Sequence, residues 1–167
     1  SAHKFHGPKG VGFLYASSAD FDSYLHGGDQ EQKKRAGTEN LAAIVGMVAA
    51  LKEDLNDQAK HYQKLSALKS IFLKEISDLD YYLNESQDQL PYVFNIGFPG
   101  QKNDLLLLRL DLEGISISTG SACTAGIVQT SHVLEAFYGP DSHRLKESVR
   151  ISLSPLNTED ELIQLAQ

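Results

Sequence analysis

The chain carries a single cysteine, Cys123, within the stretch GISISTGSACTAG, where the neighbours are small and hydroxylic and Gly114, Gly120 and Gly126 are spaced along the segment. That composition predicts an exposed loop rather than a core strand. A thiol on such a loop suits a nucleophile that must travel between two partners; the alternative is a small buried hydrophobe. A second group opens the chain, SAHKFHGPKG, in which Ser1, His3 and Lys4 bring a hydroxyl, an imidazole and an amine together ahead of a Gly-Pro turn. A lysine that condenses with a carbonyl compound must sit near it and spend part of its time deprotonated. Its polar neighbours could hold an anionic tail such as a phosphate, and the plain alternative is a polar loop.

Two further positions complete the set. In RAGTEN, Thr38 stands where a loop enters a helix, so its hydroxyl and the free backbone N–H groups there could bind an anion. Equally, the segment could be an N-cap with Glu39 and Asn40 in the first turn. In ESVRISLS, Arg150 alternates with Val149, Ile151 and Leu153, which puts a charge in an otherwise half-buried strand. A buried guanidinium needs a partner, and a bidentate carboxylate is its best geometric match, either an internal Asp or Glu or the carboxylate of a substrate.

The elements that must position these groups follow from periodicity. The apolar run at residues 10 to 15 predicts a buried strand, and the polar HGGDQEQKKRAGTEN after it a long loop. From Glu39 the apolar residues recur every three or four positions, first through Leu41, Ile44, Val45, Val48 and Leu51, then through Tyr62, Leu65, Leu68, Ile71, Phe72 and Ile76. These predict one long helix or a bent pair. LDYYLN and YVFNIGF read as strands, and residues 103 to 112 as a helix with Asn103 or Asp104 as N-cap and Gly114 as the stop. ISIS reads as a brief strand leading to the cysteine segment, TSHVLEAFYG as a short helix ending at Gly139, SVRISLS as a strand, and TEDELIQLAQ as a helix opened by a capping box from Thr158 to Glu161. Alternating strands and helices give an α/β or α+β class. A composition break around residues 52 to 60 marks a domain boundary, with 1–57 ending one domain and 58–167 forming a second.

Composition narrows the function classes. With 167 residues, 41% hydrophobic and 22% charged, the chain has the makeup of a globular protein, and its longest apolar runs are too short and interrupted to span a bilayer, so no membrane role is expected. A formal net charge of −7 argues against a nucleic-acid partner, because phosphate affinity rests on clustered Lys and Arg and the only basic run is Lys33-Lys34-Arg35. One cysteine allows no internal disulfide, which fits a reducing, cytoplasmic location. One cysteine and scattered histidines have no metal-ligand spacing, so no metal site is expected.

Taken in order, SAHKFHGPKGVGFLY, GGDQEQKKRAGTEN, STGSACTAG and SVRISLS resemble the cysteine desulfurases of the NifS/IscS type, class-V aminotransferases among the fold-type I pyridoxal-phosphate enzymes. The resemblance covers essentially the whole chain and implies the C-terminal part of that fold, mainly its small α+β domain plus the end of the large one. It implies that Lys4 is the Schiff-base lysine, that Ser1 and His3 bind the phosphate of pyridoxal 5'-phosphate, and that Thr38 reaches the phosphate in a neighbouring subunit, hence a homodimer. It further implies that Arg150 holds the carboxylate of L-cysteine and that Cys123 takes the substrate sulfur as a persulfide, leaving alanine. Sulfur would pass to an acceptor or scaffold protein for iron-sulfur clusters or thiolation. In that family the part preceding the lysine motif supplies much of the cofactor site, so this chain alone is expected to bind cofactor weakly and turn over little or no cysteine. Selenocysteine lyase and a noncatalytic sulfur-carrier or acceptor-docking module are the alternatives.

Overall fold

The computed structural model describes residues 1–18, 20–86, 88–120 and 130–167, so Cys123 lies outside the described residues. Two compact units divide the chain, Ser1–Ala59 and Lys60–Gln167, and the division falls within helix α2, Leu41–Glu75. The two runs of helical periodicity therefore form one continuous element of 35 residues.

In the first unit a 3-10 turn, Ala2–Phe5, is folded around the fully buried Ala2. The Ala2 N–H donates to the Val11 carbonyl and the Gly7 N–H to the Ala2 carbonyl, both at 2.9 Å, so the opening segment closes on itself. His6 leaves the turn in the left-handed region, φ 63°. A Cβ at Gly46 would stand 2.9 Å from Pro8 Cγ, and this close approach explains a glycine inside helix α2. The helix begins at an asparagine cap: the Ala43 N–H donates to Asn40 Oδ1 at 3.2 Å.

The run at residues 10 to 15 is not a buried strand. It has no partner strand among the described residues, and Phe13, Leu14 and Tyr15 are 59%, 76% and 85% exposed. An isolated extended segment leaves its backbone groups to water, so apolar composition alone does not bury it. The loop that follows is internally stapled. Ser23 Oγ donates to the Leu25 and Lys34 carbonyls, Lys34 Nζ donates to the Phe21 carbonyl at 2.6 Å, and Leu25 and Arg35 form an isolated bridge. Its centre, α1, Gln30–Lys33, holds Glu31, Gln32 and Lys33 at φ 51°, 56° and 64°. Left-handed backbone at three successive residues with side chains costs about 1–2 kcal/mol each, and the staples offset that strain.

The second unit is built on an antiparallel sheet in the order β1, Tyr82–Leu83; β2, Val93–Gly97; β3, Ser148–Ser152. Phe94 faces Ile151 and Ile96 faces Val149, while Asn95 pairs with Arg150. Period-2 alternation thus sends Phe94, Ile96, Val149 and Ile151 to one face and Asn95 and Arg150 to the other. The apolar face packs on Leu68, Phe72 and Ile76 of α2 and on Leu162 of α6, Glu159–Ala166, and the Phe72 and Phe94 rings sit 5.7 Å apart. An antiparallel sheet with helices on its apolar face is the α+β arrangement expected of this part of a fold-type I enzyme.

Helix α3, Asn103–Leu112, matches the predicted range, but neither Asn103 nor Asp104 is its N-cap. Lys102 holds that position without a side-chain bond, because the buried Asn103 amide is used elsewhere, donating to the Leu145 and Ser148 carbonyls. Gly114 does end the helix: at φ 78° its N–H bonds to Asp111 and the Ile115 N–H to Leu110, a paired left-handed stop. The Thr158–Glu161 capping box is present with both bonds. The Asn157 side chain first, then the Thr158 backbone N–H, holds the Glu161 carboxyl below its ordinary value of 4.5. With a depressed folded value, this contribution to stability is complete above 4.5 and is lost as the pH falls through the lowered value. An NMR titration should therefore find Glu161 titrating below its ordinary value of 4.5, and Asn157→Ala should move it back toward that value. In urea unfolding, Phe94→Ala should cost about 3–5 kcal/mol, as expected for emptying a fully buried aromatic site.

Candidate active site

The residues singled out by chemistry fall into both units. In the first, His3 and Lys4 lie in the 3-10 turn and Ser1 is its N-cap residue, all three exposed, and none of their side chains forms a hydrogen bond or ion pair among the described residues. The closed loop around Ala2 fixes where these side chains start; Lys4 is held by its N–H to the Ser1 carbonyl at 3.2 Å. Thr38 is exposed and lies two residues before the Asn40 cap, so its hydroxyl is not consumed in capping helix α2.

In the second unit Arg150 sits on the polar face of β3. Its Nε is buried and without a hydrogen-bond partner among the described residues, and none of the carboxylates described there pairs with it. A buried guanidinium nitrogen left open costs free energy unless something else supplies the acceptor. The edge of β3 is extended by one further pair. The Arg150 N–H donates to the Ser118 carbonyl at 2.6 Å and the Ser118 N–H donates to the Arg150 carbonyl at 3.1 Å. ISIS is therefore no full strand; only Ser118 reaches the sheet. Ser116, Ile117, Ser118, Arg150 and Ser152 line a cleft of about 210 Å³.

A second cavity, of about 310 Å³, is lined by Thr119 and Gly120 and by Thr130 and Ser131, residues on either side of the segment 121–129 in sequence, together with Lys102 and Lys146. After it comes helix α4, His132–Tyr138, capped by Ser131 Oγ accepting from the Leu134 N–H at 3.3 Å and ended by Gly139 at φ 86°. Sequence reasoning missed what holds this helix. Arg144, the first residue of helix α5, Arg144–Glu147, lies between two rings, 4.1 Å from the centroid of Tyr82 on β1 and 4.5 Å from that of Tyr138 on α4, and donates to Asn84 Oδ1 at 2.6 Å. Burial, with a lesser contribution from the Glu147 carboxylate, raises the Tyr82 phenol above its ordinary value of 10.0. Residues 82, 138 and 144 share no local pattern, so nothing in the sequence announced the stack.

The aminotransferase class-V family model matches residues 1–165, and the chain belongs to that family. It is similar to the cysteine desulfurase IscS of Dictyoglomus turgidum (strain DSM 6724 / Z-1310), 40% identical over 166 residues that make up 97% of this chain and 42% of that protein. Among solved structures it resembles a NifS-like protein with a TM-score of 0.83 and 31% identity, over 99% of this chain and 43% of the other. It also resembles SspA in complex with cysteine, with a TM-score of 0.69 and 31% identity over 95% and 44%. The chain thus spans about two fifths of the length of the curated relatives it matches.

The open Arg150 Nε yields a stability test. Arg150→Met keeps the straight stem and removes the unsatisfied nitrogen, so thermal unfolding should show a melting temperature equal to or above that of the parent chain, against the usual loss on changing a half-buried residue.

Proposed function

We propose that the chain is the C-terminal part of a pyridoxal-phosphate-dependent cysteine desulfurase. The observation that carries this reading is Arg150, a charged group set on the polar face of the sheet with a buried Nε that no described protein group accepts, on the strand that pairs with the segment leading to the only cysteine. The curated relatives named cysteine desulfurase and the neighbour solved with cysteine support it. In this reading residues 1–57 end the large cofactor-binding domain and 58–167 form the small domain.

Pyridoxal phosphate fits the donor set of the opening turn. Lys4 offers an exposed amine without an ion pair among the described residues, and Ser1 and His3 flank it with uncommitted hydrogen-bonding groups. Bound there, the cofactor supplies a ring that accepts the electron pair left when the substrate loses its α-proton. Lys4 would hold its carbonyl carbon and move the α-proton, Ser1 and His3 would hold its phosphate, and Thr38 would reach the phosphate bound by a second copy in a homodimer. Arg150 would take the carboxylate of L-cysteine in a bidentate pair, which orients the substrate and satisfies the open Nε. Cys123, as thiolate, would attack the substrate sulfur. An S–S bond forms as the substrate carbon–sulfur bond breaks, the carbon gains a proton, and alanine leaves while the persulfide remains for a sulfur-acceptor protein. No helix among the described residues is long and apolar enough to cross a membrane, and a cytoplasmic site of action belongs to the same proposal.

Mixing the chain with pyridoxal phosphate, reducing with borohydride and mapping the adduct by peptide mass spectrometry tests this assignment. An adduct concentrated on Lys4 supports it. Labelling spread evenly over the other lysines refutes the placement of the cofactor.

A further inference from the structure

Three serines, Ser116, Ser118 and Ser152, line the cleft of about 210 Å³ together with Arg150 and Ile117. Each polar side chain there can donate a hydrogen bond, and no carboxylate is among the lining residues. The Arg150 Nε is buried without a partner among the described residues. Beside it on β2 stands Asn95, whose Oδ1 accepts from Asn84 Nδ2 at 2.7 Å and not from the guanidinium. On the other side stands Ser118. It exchanges both backbone bonds with Arg150, at 2.6 and 3.1 Å, an arrangement that sets the two side chains on the same face about 5 Å apart at Cβ. Ser118 is half-buried, whereas Ser116 and Ser152 are exposed. Among the described residues its hydroxyl makes one contact, to the Arg150 carbonyl at 3.5 Å, the outer limit of a hydrogen bond. That carbonyl already accepts from the Ser118 N–H, so the hydroxyl can turn to a better acceptor at little cost.

We propose that Ser118 is a further substrate-binding residue, whose hydroxyl donates to the carboxylate held by the Arg150 guanidinium in this cleft. The inference rests on the reading of Arg150 as the carboxylate site and adds a second donor to it. A carboxylate offers about four lone-pair sites, so a bidentate guanidinium leaves others open for a hydroxyl at its side. The cleft suits such a group by charge, with one cation and no anion among its lining residues, and by size, since a single water needs only about 10–15 Å³. Burial singles out Ser118 from the other two serines. A bond from an exposed hydroxyl is readily replaced by one from water, whereas a half-buried donor beside a charge has less water to take its place.

The test uses the whole chain and needs neither cofactor nor turnover. Acetate is the carboxylate probe, titrated at constant ionic strength into isotope-labelled protein, and the readout is the NMR signal of the Arg150 Nε–H. The arginines are Arg35, Arg109, Arg144 and Arg150, so Arg150→Gln assigns the signal by its loss. The Arg144 signal, from a side chain held between Tyr82 and Tyr138, reports that each variant keeps its fold. Acetate should move the Arg150 signal saturably in the parent chain. Ser118→Ala, which keeps both backbone bonds, should weaken acetate binding about tenfold, the low end for one hydrogen bond to a charged group. Ser118→Thr, which keeps the hydroxyl, and Ser152→Ala, at an exposed part of the same cleft, should each stay within about threefold of the parent. A signal that acetate leaves unmoved, a Ser118→Ala affinity equal to the parent's, or a loss as large in Ser118→Thr or Ser152→Ala overturns the assignment. An unchanged Ser118→Ala affinity would still leave Arg150 as the carboxylate site, and the Lys4 adduct reports on the cofactor independently of both.

Discussion

The pairing of β3 is the constraint on which the second unit depends. One strand of five residues must satisfy its backbone on β2, bury Val149 and Ile151 against the α2 and α6 side chains, and present Arg150 on the opposite face. Because side chains alternate strictly, these demands cannot be met separately. A register slip by one residue would drive the guanidinium into a core with no acceptor for it and expose two aliphatic side chains. The burial that stabilises the sheet therefore also aims the arginine, and the unsatisfied Nε is tolerated because the apolar face holds the strand in place.

Around that strand the polar face is organised by side chains that use one another. Asn84 donates to Asn95 Oδ1 and to Ser148 Oγ and accepts from Arg144, while Glu147 accepts from the Tyr82 hydroxyl and, through its other oxygen, from the Gly100 N–H. Gly97 allows the Tyr82 ring to lie directly over β2, since a Cβ there would collide with it. Most groups on this face are thus committed to structure. Among the described residues, Arg150 stands out against them by having a buried donor without a partner.

The first unit follows a different logic. Its turn is held by backbone bonds around a buried alanine, and its loop by a few hydrogen bonds that hold three residues in left-handed backbone. The large apolar residues nearby, Leu14, Tyr15 and Tyr24 among them, are exposed. Such a unit fixes the starting points of the Ser1, His3 and Lys4 side chains but leaves the side chains themselves without partners among the described residues, in keeping with the proposed cofactor site.

By itself the sequence determined whatever depends on neighbours along the chain. It specified the 103–112 helix with its glycine stop, the helix ending at Gly139, the 158–161 capping box, the helical periodicity of α2 and the alternation that places Arg150 opposite Val149 and Ile151. These rest on short-range hydrogen bonds and on the periods of helix and strand, which are written locally. The four candidate groups were proposed from the sequence because a lone thiol, a lysine turn, a loop hydroxyl and a strand arginine are conspicuous by type. Only the tertiary structure decided the rest. Among the described residues it withheld a partner strand from the run at 10 to 15, drew Asn103 away from capping into the carbonyls of Leu145 and Ser148, and set Arg144 between Tyr82 and Tyr138. It also reduced ISIS to the single pair at Ser118. Each of these turns on which distant segment supplies the second half of a hydrogen bond or contact, and local spacing carries no record of that.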